Sequence, residues 1–93
     1  MVNLPSEHVV EMTPGELAQH VLRDLVETRA WSSWNYINEA QQDPRYRGEP
    51  AAAISGAISW LYGQGLIGRD PHNGGSGSAM VVTPAGRRAA AGK

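Results

Sequence analysis

The chain has 93 residues, 41% of them hydrophobic, and a net charge of −1, which fits one small domain and leaves no room for two. The absence of cysteine excludes disulfides and cysteine-based zinc sites. No segment approaches the roughly 20 consecutive apolar residues that span a bilayer. The acidic N-terminus has neither the basic nor the apolar region of a signal peptide, so we expect a cytoplasmic protein with no membrane partner.

The charges are unevenly distributed along the chain. Residues 1–43 contain seven acidic residues and two arginines, a net charge of −5, whereas residues 44–93 contain six basic and two acidic residues, a net charge of +4. This asymmetry points to a polyanionic partner for the C-terminal half. With so few charges, chance is the alternative explanation.

The first predicted element is a flexible N-terminal arm over residues 1–12, followed by a helix of about four turns. Thr13 can cap the helix, Pro14 suits its first position, and Glu16 stands where a capping box needs it. Apolar residues then recur at steps of three and four, which indicates one buried stripe. The stripe consists of Leu17, Ala18, Val21, Leu22, Leu25 and Val26.

The second predicted helix begins after Ser32 or Ser33 and runs to about Gln42. Asp43-Pro44 ends it, because a residue before proline is disfavoured in helical geometry. Its inward-facing residues are expected to be Trp34, Ile37 and Ala40.

The third predicted helix begins at Glu49-Pro50 and ends at Gly63 to Gly65, with Gly65 in the left-handed conformation. Its buried stripe is expected to contain Ile54, Ala57, Ile58 and Leu61.

Two short strands, 66–69 and 79–83, follow on either side of a turn-rich loop at 70–78. The segment 83–86 can cap a short last helix, and residues 89–93 are expected to form a frayed tail. The sequence therefore predicts an α+β fold, mostly helical, with three helices, a two-stranded hairpin and a short C-terminal helix. This single domain would span residues 13–88.

Two stretches around the hairpin have a distinctive pattern, Leu61-Tyr62-Gly63-Gln64-Gly65-Leu66-Ile67-Gly68-Arg69-Asp70 and Val81-Val82-Thr83-Pro84-Ala85-Gly86. Over roughly residues 54–88 the chain resembles winged helix-turn-helix transcriptional regulators of the MarR and PadR types. The resemblance implies that the third helix enters DNA and that the loop at 70–78 is the wing. The chain is too short for the dimerisation helices of MarR-type proteins, and its wing has glycine and serine where theirs has basic residues.

In a winged helix the third helix lies in the major groove. Its exposed face here would contain Ala52, Ser55, Gly56 and Ser59. Serine makes fewer specific base contacts than arginine or asparagine, so such a helix would read DNA weakly or by shape. Small residues at this spacing also suit close approach by a protein, and a surface with no role is the remaining interpretation.

Three arginines are candidates for phosphate contacts. Arg45 and Arg47 come just before the third helix, and Arg69 stands at the base of the predicted wing. The turn at His72, Asn73 and Gly74 can offer backbone donors without side chains that block approach. Arg87 and Arg88 are weaker candidates, since a polar last turn needs no further explanation.

The large aromatic residues have a structural interpretation, because the chain contains no phenylalanine. Trp34 and Trp60 are expected to fill the core. Trp31 precedes the second helix and is a candidate for a partner surface.

Catalysis has little support in the sequence. The three histidines are widely spaced, and no phosphate-binding loop follows the glycines. We therefore expect no enzyme activity, no metal and no cofactor.

The sequence-based hypothesis is a small cytoplasmic protein that binds duplex DNA as a homodimer, either a transcriptional regulator or an accessory factor. The alternative is a winged-helix module that binds a protein partner and does not contact DNA.

Overall fold

The computed structural model describes residues 1–70 and 79–92, and this part of the chain contains five helices and two strands. The helices are α1 (Ser6–Glu11), α2 (Pro14–Thr28), α3 (Ser33–Gln42), α4 (Glu49–Gly63) and α5 (Pro84–Gly92). The strands are β1 (Ile67–Arg69) and β2 (Met80–Val82). The prediction of a mostly helical α+β fold with an antiparallel hairpin is confirmed. No helix in the described ranges is long and apolar enough to cross a bilayer.

The two strands pair in register, with Ile67 opposite Val82 and Arg69 opposite Met80. A third segment joins them at a single point, because Ser32 forms an isolated antiparallel bridge with Ala79. The Met80 amide donates to the Trp31 carbonyl over 2.8 Å. The connection between α2 and α3 therefore lies along the side of β2 opposite β1.

Helix α2 forms where the capping pattern predicted it. The side chain of Thr13 accepts from the Glu16 amide, and the Glu16 side chain accepts from the Thr13 amide, which completes a capping box. The helix ends at Arg29, whose backbone is left-handed with φ 54° and ψ 41°. Its buried residues are Leu17, Ala18, Val21, Leu22 and Leu25.

Helix α4 lies at the centre of the molecule and packs against α1, α2, α3 and β1. The predicted stripe is buried, together with Ala51. Gly65 has φ 73°, as predicted for a left-handed stop. The Leu66 amide then donates to the Leu61 carbonyl over 3.0 Å, which satisfies a carbonyl at the end of the helix.

The first twelve residues differ from the flexible arm expected from sequence. Residues Ser6–Glu11 form α1, which packs against α4, and Val2 and Val9 are buried in the core. The amino group of Met1 also lies 3.0 Å from Oδ2 of Asp24. A six-residue helix without a side-chain cap has almost no local signal, so tertiary packing is what holds it.

The C-terminal helix is longer than the single turn that the sequence indicated. It runs to Gly92 and packs against α2 and β2, and Ala89 and Ala90 lie against the core. Gly86 permits this docking, since a Cβ there would come within 2.8 Å of Cγ1 of Val82 and would collide with the Leu66 carbonyl.

The prediction that Trp34 points inward is wrong. Trp34 is 63% exposed, and Tyr36 is the aromatic residue of α3 that enters the core. The two positions are about 200° apart around a helix, so both cannot face inward. The Tyr36 hydroxyl donates to Oδ2 of Asp24 over 2.7 Å, and burial together with this carboxylate raises the pKa of Tyr36 far above its ordinary value. Trp60 is only partly buried and packs over Gly15.

Candidate nucleic-acid interface

The outer face of α4 carries small side chains. Ala52, Gly56 and Ser59 are exposed and Ser55 is half-buried, so the helix presents these four predicted residues on its surface. A Cβ added to Gly56 would meet nothing within 4 Å. Another molecule can therefore approach the backbone of this helix closely, without displacing a side chain of this chain.

A compact loop after α3 places Arg45 and Arg47 just before α4. The amides of Tyr46 and Arg47 both donate to the Asp43 carbonyl, over 3.0 and 2.9 Å. Gly48 follows with φ 88°, a backbone that favours glycine, and its amide donates to the side chain of Gln41.

The guanidinium of Arg45 is already paired inside the protein. Its Nε and Nη2 donate to the two carboxylate oxygens of Asp43 over 3.2 and 2.9 Å, and it lies 4.9 Å from the centre of the Tyr46 ring. The pair lowers the pKa of Asp43 and raises the pKa of Arg45. Because this pair is exposed, water screens it, but a phosphate would still have to compete with Asp43 for Arg45.

Arg47 and Arg69 differ from Arg45 in this respect. Both side chains are exposed, and within the described ranges neither forms an ion pair. Arg69 is the last residue of β1, opposite Met80. The other predicted contacts, His72, Asn73 and Gly74, lie outside the residues that the structure describes.

The three arginines lie at opposite ends of α4 along the chain. Arg45 and Arg47 precede the first turn of α4, whereas Arg69 follows its last turn, and the 15-residue helix between them is about 22 Å long. The small-residue face of α4 lies between these two groups of positive charge along the chain.

The exposure of Trp34 was not expected from the sequence. Trp31 is 55% exposed, which fits its assignment to a surface, and Trp34 is 63% exposed against expectation. The spacing of Tyr36 and Ala40 could have indicated it, because they are four positions apart and both are buried. Residues four apart share one face of a helix, so when Tyr36 and Ala40 face the core, Trp34 lies on the opposite, exposed side.

Among residues 1–70 and 79–92, no three histidine, aspartate or glutamate side chains come together to hold a metal ion.

No protein-family model matches the chain, and no curated protein and no solved structure matches it either.

Proposed function

We propose that this chain is a winged-helix protein that binds duplex DNA, with α4 in the major groove and exposed arginines on the phosphates. The observation that best supports this is the bridge between Ser32 and Ala79. It attaches the connection between α2 and α3 to the hairpin, and so places the hairpin beside the three-helix unit α2–α3–α4. A winged helix needs this arrangement of hairpin and helices.

The surface of α4 supports close approach to DNA. Ala52 and Gly56 leave the helix backbone accessible, and Ser55 and Ser59 each offer a hydroxyl that can donate or accept one hydrogen bond. Hydroxyls discriminate poorly among base pairs. We therefore expect recognition in which groove shape contributes more than base-specific hydrogen bonds.

The phosphate contacts are assigned first to Arg47 and Arg69, and second to Arg45. The first two are exposed and without an ion pair in the described residues, whereas Arg45 is held by Asp43. A module with a net charge of −1 would bind DNA weakly alone. A homodimer on a two-fold site doubles the contacts, which is the assembly we propose for a small regulator or accessory factor.

The test is fluorescence anisotropy with mixed-sequence duplex DNA over a series of salt concentrations. Two or three phosphate contacts per subunit of a dimer predict a log–log slope of roughly −4 to −5. The variant Arg45→Ala plus Arg47→Ala should abolish binding, with Arg23→Ala on the exposed side of α2 as the matched control. A double variant that binds like the parent would contradict the assignment.

The single variants should separate the two neighbouring arginines. We expect Arg47→Ala to weaken DNA binding more than Arg45→Ala, and to reduce the salt slope by about 1 per subunit. Asp43→Asn should strengthen binding, because it releases Arg45 and removes a negative charge. Equal losses from both arginine variants, with no gain from Asp43→Asn, would show that the internal pair does not restrict Arg45.

A second candidate is supported by the two exposed tryptophans of the α3 region. Trp31 and Trp34 are the residue type that most often anchors protein interfaces. A module of this kind would bind a protein partner and would not bind duplex DNA at low salt. The anisotropy experiment therefore also separates the two candidates.

A further inference from the structure

A small cavity lies between the end of α2 and the first turns of α3, and the proposed DNA contacts do not use it. Its volume is about 290 Å³, and its wall includes Thr28 from α2, Trp31 from the connection, and Asn35, Tyr36 and Glu39 from α3. Pockets that hold whole small molecules range from about 300 to 1,000 Å³. This cavity is therefore suited to a single side chain or a group of that size.

The aromatic part of the wall is open to a ligand. Trp31 is 55% exposed, although its main chain is fixed by the hydrogen bond from the Met80 amide to its carbonyl. Tyr36 is buried, and its hydroxyl is already used by Asp24. The indole of Trp31 is thus the aromatic surface that a group in this cavity can reach.

The charges around the cavity favour a cation. Among the described residues, Glu39 is the only lining side chain with a formal charge; it is exposed and forms no ion pair in these ranges. The amino group of Met1 also borders the cavity, but Oδ2 of Asp24 pairs with it at 3.0 Å. A cation entering the cavity would therefore meet a free carboxylate.

Two further features of the wall suit a group with several N–H donors. Thr28 is the last residue of α2, and the C-terminal end of a helix carries partial negative charge. Asn35 lies one turn before Glu39 on the same face of α3, and the oxygen of its exposed side chain can accept a hydrogen bond.

Arginine fits this combination of groups better than lysine does. The guanidinium is flat, carries five N–H donors in one plane and stacks on aromatic faces. Indole is the aromatic ring that attracts cations most strongly. The ammonium of lysine is compact and more strongly hydrated, so it gains less from contact with an indole.

We propose that this cavity binds an arginine side chain of a partner protein, with the guanidinium against Trp31 and paired with Glu39. The segment around that arginine is expected to lack acidic residues, because residues 1–43 have a net charge of −5. The proposal does not rest on DNA binding, since it uses none of the residues assigned to DNA.

The first experiment is an NMR titration of the isotope-labelled full chain with the peptide acetyl-Gly-Arg-Gly-amide. The control peptide has citrulline in place of arginine, which replaces the guanidinium with a neutral urea of similar shape. We expect shifts of the Trp31 indole N–H and of the Asn35 and Glu39 amides, and binding about fivefold to twentyfold tighter than that of the control. No shifts at millimolar peptide, shifts elsewhere only, or equal binding of the citrulline peptide would overturn the proposal.

Two other ligands identify the group that the cavity recognises. The peptide with lysine in place of arginine should bind more weakly, because its ammonium cannot stack on the indole. Free L-arginine should bind no better than the peptide, because its own carboxylate would lie near Glu39. Equal binding of the lysine peptide would show that charge alone is recognised, and tighter binding of free arginine would assign the cavity to a small molecule. Either result would overturn the proposal.

The last experiment tests the two side chains that would hold the guanidinium. Trp31→Leu and Glu39→Gln should each weaken binding of the arginine peptide about twofold to fivefold. Both side chains are exposed, so their replacement leaves the core intact. The matched controls, Trp34→Leu and Glu11→Gln, change exposed residues of the same types that do not line the cavity. Losses from the controls as large as those from the cavity variants, or no loss from the cavity variants, would contradict the assignment.

Discussion

At the scale of single residues, the Tyr46 hydroxyl holds the N-terminal segment. Its oxygen lies 2.9 Å from the Val2 carbonyl and 2.7 Å from the Leu4 carbonyl, which share its single proton, and it accepts from the Leu4 amide at 3.2 Å. The Tyr46 side chain is fully buried and its bond to the Val2 carbonyl is buried with it, so water does not reach that carbonyl if the hydroxyl is removed. Buried backbone groups left without partners are a larger penalty than the bond itself.

We therefore expect Tyr46→Phe to lower the free energy of unfolding by about 1–3 kcal/mol, measured by urea denaturation. Tyr62→Phe is the matched control, because Tyr62 is only half-buried and no hydrogen bond of its hydroxyl occurs within the described residues. Equal losses from the two variants would show that the hydroxyl of Tyr46 contributes nothing specific.

The sequence revealed the residues whose role is local and missed those whose role depends on distant contacts. The capping residue Thr13 and the left-handed Gly65 were predicted, because caps and stops depend on neighbours within a few positions. The burial of Tyr46 was not, because its partners lie 42 and 44 positions away. The Arg45–Asp43 pair is local, but both residues were read separately, as a phosphate contact and a helix stop.

At the scale of elements, two helical glycines have opposite surroundings. Gly56 faces open space on α4, whereas Gly86 of α5 is buried against Leu66 and Val82. Alanine restricts the unfolded chain and favours helix at either position, but only at Gly56 is there room for its Cβ.

Gly56→Ala should thus raise the free energy of unfolding by about 0.5–1 kcal/mol, and Gly86→Ala should lower it by about 1–3 kcal/mol. Thermal and urea denaturation of the two variants provide the measurement. If α4 enters a groove closely, the more stable Gly56→Ala should also bind DNA less well. A shift of the same sign in both variants would contradict the packing described for α5.

The capping box at the start of α2 makes a pH-dependent contribution to the free energy of unfolding. Hydrogen bonds from the backbone and side chain of Thr13 lower the pKa of Glu16 in the folded chain below its ordinary value of 4.5. A carboxylate with a lowered pKa stabilises the fold above its unfolded-state pKa, and that stabilisation is lost as the pH falls through the folded value.

Thr13→Ala should reduce the free energy of unfolding at pH 7 by about 0.5–2 kcal/mol. The difference from the parent should shrink as the pH falls below about 4.5 and through the lower folded-state pKa of Glu16, where the carboxylate becomes protonated in the folded parent as well. Urea denaturation at a series of pH values measures this. A difference that stays constant with pH would show that the Glu16 carboxylate does not stabilise the fold through the capping box.

At the scale of the whole molecule, the N-terminal segment is part of the core. Val9 on α1 is fully buried and its neighbour Val10 is 38% exposed, which gives a matched pair for testing this. Val9→Ala should lower the free energy of unfolding by about 2 kcal/mol. Val10→Ala should change it by less than about 0.5 kcal/mol. Indistinguishable urea denaturation curves for the two variants would mean that α1 does not pack on α4 in solution.

The overall arrangement could be predicted from the sequence only in part. Three amphipathic helices and a hairpin followed from periodicity and from turn residues, and their bounds agree closely with α2, α3, α4, β1 and β2. Helix α1 and the length of α5 could not be predicted from these patterns, since both depend on burial against other elements. For the candidate site, the exposure of the α4 face was predictable, whereas the neutralised charge of Arg45 required the geometry of its loop.

The unequal environments of the three tryptophans have an optical consequence. Trp60 lies partly buried against Gly15, whereas Trp31 and Trp34 face solvent. Emission from Trp60 should therefore shift to longer wavelength when the core opens, while iodide should quench chiefly the other two in the native protein. The unlabelled chain thus has one intrinsic fluorescence signal for its core and another for the surface around the start of α3.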